Sequence, residues 1–380
     1  MPVYLALRES GADKIILIHS LSTKAEAEKI EKDLTEEIGQ VEVELIEFPP
    51  FDFVKIRELA DILLTEYSEW DIEINLSSGT KPWSIVFAML AGKYDNVQLL
   101  YVDQNSFIYN YTTSQHHLAA PMDGGIAQIF RYNQTAIESH TNLDEYTDSD
   151  RQILPEVKKL RNSSYRGKFS IFNNLTIPNK TNKTRFSNNV KDTIIDKGTG
   201  SEITWDKKHK TADSPEEQYV AFNIVNLAGL REKREFVSPH AFDIITSSGW
   251  FEYEVATVLQ KWTSGKEIWL NVIFPYDNKN PKNEIDVIVA TDYKMLFVEC
   301  KTQIFDRTDI DKFASAVKNY GGMGAKAIFI TQQNMDRQAV EKCDTNKIAH
   351  FSFYDEERKL VGHKILFDLL DKLMQISNTR

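Results

Sequence analysis

Cysteine is nearly absent. Cys300 and Cys343 stand alone in 380 residues, with no partner set for a disulfide framework and no spacing that a zinc site would use. That scarcity suits a reducing compartment, so a cytoplasmic location is expected. Long apolar runs are missing as well; none approaches the roughly 20 residues that cross a bilayer, and no membrane partner is expected. The opening Met-Pro-Val-Tyr-Leu-Ala-Leu-Arg-Glu-Ser lacks the basic flank and long apolar core of a signal peptide and reads as a first strand. Positive charge is in deficit: 45 Lys and Arg against 56 Asp and Glu give a net charge of −11. That balance argues against a protein that coats nucleic acid, but not against one that handles it through a local basic patch. His240 and His350 are isolated, and no zinc site is expected. There is no internal repeat and no long low-complexity stretch.

What is present is a soluble, globular composition, 42% hydrophobic and 27% charged, in a chain long enough for two or three domains. Residues 1–120 alternate strand and helix patterns. Apolar strands are predicted at Ile15–His19, Val41–Phe48, Asp71–Leu76 and Val97–Val102, with amphipathic helices at Thr23–Ile38, Phe53–Tyr67 and Trp83–Gly92 between them. That βαβαβαβ order predicts a parallel sheet covered by helices, a Rossmann-like domain. Ligands of such sheets bind beyond the carboxyl ends of the strands.

The loop after the third strand, Asn75-Leu-Ser77-Ser78-Gly79-Thr80-Lys81-Pro82, carries the parts of an anion cradle. Three hydroxyls, a glycine that permits close approach and a lysine sit at the start of a helix opened by proline. Neither the Gly-x4-Gly-Lys nor the Gly-x-Gly-x-x-Gly spacing is present in it. The plain alternative is that Thr80 caps a helix and Gly79 turns the chain. The first-strand loop, with Ser20 and Ser22, is similarly rich in hydroxyls, and Asp103-Gln104-Asn105 would lie on the same rim.

Asn75-Leu-Ser-Ser-Gly-Thr-Lys81 after a third strand resembles the signature loop of CARF domains, the CRISPR-associated Rossmann-like ligand sensors. Ser20 and Ser22 fall where that family has its other binding loop. The resemblance implies a homodimer that binds cyclic oligoadenylate, most often cyclic tetra-adenylate, across its two-fold axis. It carries Asn75, Ser77, Ser78, Gly79, Thr80 and Lys81 over as ligand positions, with Ser78 standing where the family often has a second glycine.

Residues 121–235 show no sustained periodicity, and Glu217–Leu230 is predicted helical. Between Lys158 and Lys191 there are nine Lys and Arg and no Asp or Glu, with Tyr165, Phe169, Phe172 and Phe186 interleaved. Such a mixture suits phosphate contacts and base stacking on single-stranded nucleic acid, or else a solvated linker. The domains expected are 1–145 for the sensor, 146–235 for a linker or basic segment and 236–380 for a mixed-sheet α/β domain. In the last, Ser247-Ser248-Gly249 would cap a helix over Trp250–Lys261, followed by the order β-β-β-α-β-α-β-α.

Its centre is a hairpin of two apolar strands, Ile285–Ala290 and Met295–Cys300, turning at Asp292–Tyr293. If the pairing is symmetric about the turn, Ala290 faces Met295 and Asp286 faces Glu299. Two like charges so placed repel at a Cβ separation of roughly 4.5–5.5 Å. A divalent cation between them gives the pair a reason to exist. Lys301 falls on the same face as Glu299, where a surface ion pair balanced by Glu284 is the plain alternative. A one-residue slip in register would put the two acids on opposite faces.

Glu252 on the helix, Asp286, and Glu299-Cys-Lys301 thirteen residues on resemble the PD-(D/E)xK nuclease superfamily, with Ile285 in place of the proline. The resemblance implies a metal-dependent endonuclease in which Asp286, Glu299 and the Cys300 carbonyl hold Mg²⁺ or Mn²⁺. Lys301 would orient water or stabilise the transition state, and Glu252 would be a further contact. Sensor and nuclease together resemble the ancillary nucleases of type III CRISPR antiviral defence, cutting single-stranded DNA or RNA when cyclic oligoadenylate binds. An ungated restriction- or repair-type nuclease and a non-catalytic ligand-responsive regulator are the alternatives.

Overall fold

The computed structural model describes residues 2–39, 41–120, 124–164, 185, 188–210, 216–225, 229, 231–246, 249–276, 283–291, 294–302, 304, 306–322 and 324–374. Contacts divide the chain into two units, Met1–Gln134 with Gly322–Gly324, and Thr135–Gly321 with Ala325–Arg380.

The first unit begins with a helix, not the strand expected there. In α1 (Pro2–Ser10), proline occupies the first helical position, where its missing N–H costs nothing, and Tyr4, Leu5 and Ala6 are buried. Then follow β1 (Lys14–His19), α2 (Lys24–Ile38), β2 (Glu42–Glu47), α3 (Phe53–Glu66), β3 (Ile72–Asn75), α4 (Lys81–Ala91) and β4 (Val97–Val102). β1 pairs in parallel with β2, and β3 in parallel with β4. A hairpin that periodicity did not show, β5 (Phe107–Asn110) and β6 (Gln115–Leu118), extends the sheet antiparallel from β4. Helix α5 (Gly125–Tyr132) follows. Phe48, Ile56, Ala60, Leu64, Trp83 and Phe87 belong to one core; burying each large apolar side chain contributes roughly 1.5–3 kcal/mol.

In the second unit, part of the span expected as a linker is folded. Helix α6 (Asp148–Ser164) precedes a four-stranded antiparallel sheet of β8 (Lys191–Ile195), β9 (Glu202–His209), β10 (Glu217–Val225) and β11 (Arg231–Ser238). The predicted helix over Glu217–Leu230 is therefore strand β10 across its first nine residues. Val220, Phe222 and Ile224 are buried at every second position, and that two-residue period of branched and aromatic side chains outweighed helical spacing.

Helices α7 (Ala241–Thr246) and α8 (Gly249–Trp262) lead into a six-stranded mixed sheet. Its strands are β7 (Ser139–Asn142), β12 (Ile268–Phe274), β13 (Asn283–Ala290), β14 (Met295–Lys301), β15 (Lys326–Thr331) and β16 (Ala349–Ser352). They lie in the order β16-β15-β14-β13-β12-β7, with α9 (Thr308–Tyr320), α10 (Arg337–Thr345) and α11 (His363–Met374) connecting or closing them. From α8 onward the element order is the predicted one. A single core runs from Leu143 through Trp205, Phe222 and Phe251 to Val298 and Leu370, so the four-stranded sheet and the six-stranded sheet share it.

A buried carboxylate fixes the start of α6. Asp150 is fully buried and accepts from Ser238 Oγ (2.7 Å), the His240 backbone N–H (2.9 Å) and the Thr147 backbone N–H (2.8 Å). Burial opposes its charge, but the His240 and Ser238 hydrogen bonds prevail and bring its pKa down to about 2.

Candidate functional site

Two sites follow from the predicted residues, one in each unit. In the first unit, Asn75 ends β3 and its Oδ1 accepts from Ser77 N (3.0 Å) and Ser77 Oγ (2.6 Å). Ser77 Oγ in turn accepts from Val102 N at 2.5 Å, and Asn75 Nδ2 donates to the Pro2 carbonyl (3.3 Å). These two side chains bind the loop to the end of β4 and to α1. They hold the loop's shape. Ser78, Gly79 and Lys81 are exposed beyond them.

Gly79 adopts φ +92°, and a Cβ there would lie 2.8 Å from Trp83 Cε3, so glycine is required. Thr80 caps α4, its Oγ1 accepting from Trp83 N (3.4 Å), with Pro82 in the first turn. The capping alternative is thus true of Thr80, and it leaves Ser78 and Lys81 at a helix N-terminus with outward positions. On the first-strand loop, Ser20 is buried and its Oγ lies 3.0 Å from both Ser22 Oγ and Thr23 Oγ1. A cavity of about 1080 Å³ between β1 and β3 includes Ser20, Thr23, Ser78, Gly79 and Thr80 in its lining.

In the second unit the hairpin has the expected register: Ala290 pairs with Met295 and Val287 with Val298. Regular pairing ends at Val287 with Val298, one position before Asp286 and Glu299, and both acids lie within 3.9 Å of the Lys301 ammonium. The turn residues Asp292–Tyr293 and the cap residues Ser247–Ser248 lie outside the described residues. Asp286 is buried and its Oδ2 accepts from the Cys300 backbone N–H (2.7 Å). Lys301 Nζ lies 2.5 Å from Glu299 Oε1 and 3.9 Å from Asp286 Oδ2. Glu252 enters from the first turn of α8 and is itself buried. Gly249 places that turn: a Cβ on it would collide with the Asp243 carbonyl of α7.

The electrostatics are those of crowded acids. Burial first, and Asp286 second, raise the Glu299 carboxyl to about 8. Burial raises Asp286, and burial with Asp286 and Glu284 raises Glu252 well above the carboxylate range. Burial works against the Lys301 ammonium, yet Asp286 and Glu299 outweigh it and raise its pKa. Three acids here share one lysine.

Residues 5–123 match the family model of the Card1 CARF domain, and residues 248–346 match that of the nuclease-related domain, NERD. The chain joins a CARF domain to a nuclease-related domain. Can2 from Sulfobacillus thermosulfidooxidans, solved in complex with cyclic tetra-adenylate, is 17% identical with a TM-score of 0.64 over 98% of this chain and 96% of that one. Protein VC1899 from Vibrio cholerae is 15% identical with a TM-score of 0.66 over 98% and 94%. A type III CRISPR defence DNA nuclease activated by cyclic oligoadenylate is 14% identical with a TM-score of 0.54, over 100% of this chain and 50% of that one. At these identities the likeness is one of fold. No curated protein matches in sequence.

In the nuclease-related domain the donor set is oxygen, which suits Mg²⁺ or Mn²⁺ held by one or two carboxylates plus water. Among the described residues no three ligating side chains are drawn together as an ion would draw them, and the Lys301 ammonium stands beside both hairpin acids instead. Asp286 and Glu299 fit such an ion in the chemistry of their donors.

One neighbour escaped sequence reasoning. Asp309, in the first turn of α9, adds negative potential at both Asp286 and Glu299, and it pairs with Lys312 at 3.0 Å. Its signal was the acidic start of the helix that follows Glu299-x-Lys301. Much of the basic segment, residues 165–184 among it, lies outside the described residues. Tyr165, Phe169, Phe172 and Phe186 lie outside the described residues. Four of the cations between Lys158 and Lys191 pair with acids: Lys158 with Glu254 (2.6 Å), Lys159 with Glu156 (2.6 Å), Arg185 with Asp192 (2.7 Å) and Lys191 with Asp206 (3.3 Å). Among the described residues no helix is long and apolar enough to cross a membrane.

Proposed function

We propose that this protein is a metal-dependent nuclease of type III CRISPR defence that cuts single-stranded DNA or RNA when its CARF domain binds cyclic oligoadenylate, with cyclic tetra-adenylate the favoured ring. The observation that carries the reading is the burial of Glu252 and Asp286, with the partly buried Glu299, around Lys301 in a nuclease-related domain. A buried set of like charges weakens the fold and persists where it serves chemistry.

Asp286 and Glu299, with the Cys300 carbonyl, would hold Mn²⁺ or Mg²⁺, which when bound polarises phosphate and acidifies water. Lys301 would place its ammonium on the charge that develops at phosphorus. Glu252 would bind or orient the water of the acidic cluster. In the CARF domain, Ser78, Gly79 and Lys81 at the N-terminus of α4 would meet a phosphate of the ring, with Ser20, Ser22 and Thr80 beside them. Asn75 and Ser77 keep that loop in place.

Can2 bound to cyclic tetra-adenylate supports the choice of ring, and the nuclease activated by cyclic oligoadenylate supports the gating. A homodimer is part of the proposal. Ile85 and Met89 stand four residues apart on α4 and are exposed by 53% and 58%, and Phe51 and Val54 are exposed at the start of α3. Apolar surface of that kind suits burial against a second copy of the chain. The test is cleavage of labelled single-stranded DNA and RNA with Mn²⁺, in wild type and in Glu299→Ala. Cleavage undiminished in Glu299→Ala would remove the assigned site.

A further inference from the structure

The acidic cluster has one feature that the nuclease reading does not require. Lys301 does not point away to meet substrate; its Nζ is 2.5 Å from Glu299 Oε1 and 3.9 Å from Asp286 Oδ2. Lys301 lies two residues after Glu299 on β14, so both side chains leave the same face of the strand and the ammonium can reach the carboxylate locally. Asp286 comes to the same place from β13 by the hairpin register, fixed further by the hydrogen bond from Cys300 N. The lysine side chain keeps 29% of its surface exposed, against 12% for Glu299 and 13% for Asp286. It therefore has a way out to solvent that the acids lack. Its flexible four-carbon stem makes that movement a matter of rotamers and leaves the backbone in place.

We propose that Lys301 is a built-in counter-cation: in the metal-free state its ammonium holds the ground between Asp286 and Glu299, a divalent ion enters only as that ammonium swings out, and a phosphate anion at the mouth draws it out. This rests on the nuclease reading of the site. Two consequences follow. The ion and the lysine compete for the same carboxylates, so the resting site binds metal weakly. Metal and a phosphodiester strand reinforce each other, because the strand occupies the ammonium that the metal must displace, and such coupling is reciprocal. The device partly offsets the charge of the acidic pair without metal, and it favours loading when substrate is present.

The experiment is Mn²⁺ binding to the full-length, chelator-stripped protein, read by electron paramagnetic resonance of free Mn²⁺, for wild type, Lys301→Met and Lys301→Arg. Removing the positive charge that competes for the two carboxylates should tighten Mn²⁺ binding by at least about tenfold in Lys301→Met. Lys301→Arg, which keeps the charge, should stay close to wild type. Equal or weaker binding by Lys301→Met overturns the proposal. Absence of Mn²⁺ binding by all three proteins overturns the metal-site reading itself, and the proposal with it. A non-hydrolysable phosphorothioate oligonucleotide should tighten Mn²⁺ binding by a larger factor in wild type than in Lys301→Met; equal factors contradict the coupling. Should Lys301→Met fail to fold, a wild-type crystal structure with Mn²⁺ decides the matter. Lys301 Nζ is expected beyond hydrogen-bond reach of Glu299, and its staying in place refutes the swing.

Discussion

Replacing Glu299 with glutamine should make the metal-free protein more stable at pH 8 while ending catalysis. In the folded protein burial and Asp286 raise the Glu299 carboxyl from an ordinary 4.5 to about 8. Because the folded value lies above the unfolded one, the stability this group contributes is complete below about pH 4.5 and lost as pH rises through about 8. Each tenfold change in proton affinity is worth about 1.4 kcal/mol, so ionised Glu299 burdens the fold by up to roughly 5 kcal/mol. Glutamine keeps the shape and can still accept from Lys301, but carries no charge to repel Asp286. Thermal melts in chelator from pH 5 to 8 should show wild type falling relative to Glu299→Gln, with a gap of roughly 2–5 kcal/mol at pH 8. Mn²⁺ should then raise the melting point of wild type and leave the variant unmoved. A variant that melts at or below wild type at pH 8 refutes the claim that these acids repel in the folded state.

Three other outcomes follow from the same geometry. Gly79→Ala forces a side chain into φ +92° and against the Trp83 ring; it should abolish cyclic tetra-adenylate binding and lower stability by about 1–3 kcal/mol, as calorimetry and melting would show. Lys81→Ala, at an exposed position, should weaken that ligand at least about tenfold with an unchanged melting point. Asp150→Ala strands the Ser238 and His240 donors and should cost about 3–5 kcal/mol at pH 7. Since the Asp150 pKa is lowered from 3.8 to about 2, this part of its contribution is present above about pH 4 and fades as pH falls towards 2, so the gap between wild type and variant should narrow by about 2.5 kcal/mol in acid.

The hairpin was legible because its signal is local. Two short apolar strands about one turn admit few registers, and only the symmetric one faces Asp286 with Glu299; the pairing of Ala290 with Met295 is that register. The βα alternation of the first 100 residues was legible for the same reason. Strand β9 was not, because Lys207 interrupts its alternation by lying over the Phe242 ring at 4.6 Å, an inward cation that no pattern anticipates. α1 was misread as a strand because the five-residue apolar run Val3–Leu7 suits either element, and the proline before it carried the deciding information. Glu252 joins Asp286 through the close packing of Gly249 on α7, a contact that spacing along the chain only suggests. Asp309 lacked any motif to mark it.

The most direct test of the whole account is one rate measured twice: Mn²⁺-dependent cleavage of single-stranded DNA and RNA by the full-length protein, without and with cyclic tetra-adenylate. The account predicts little cleavage without the ring and rapid cleavage with it, in wild type and not in Lys81→Ala. Equal rates in the presence and absence of the ring would contradict it.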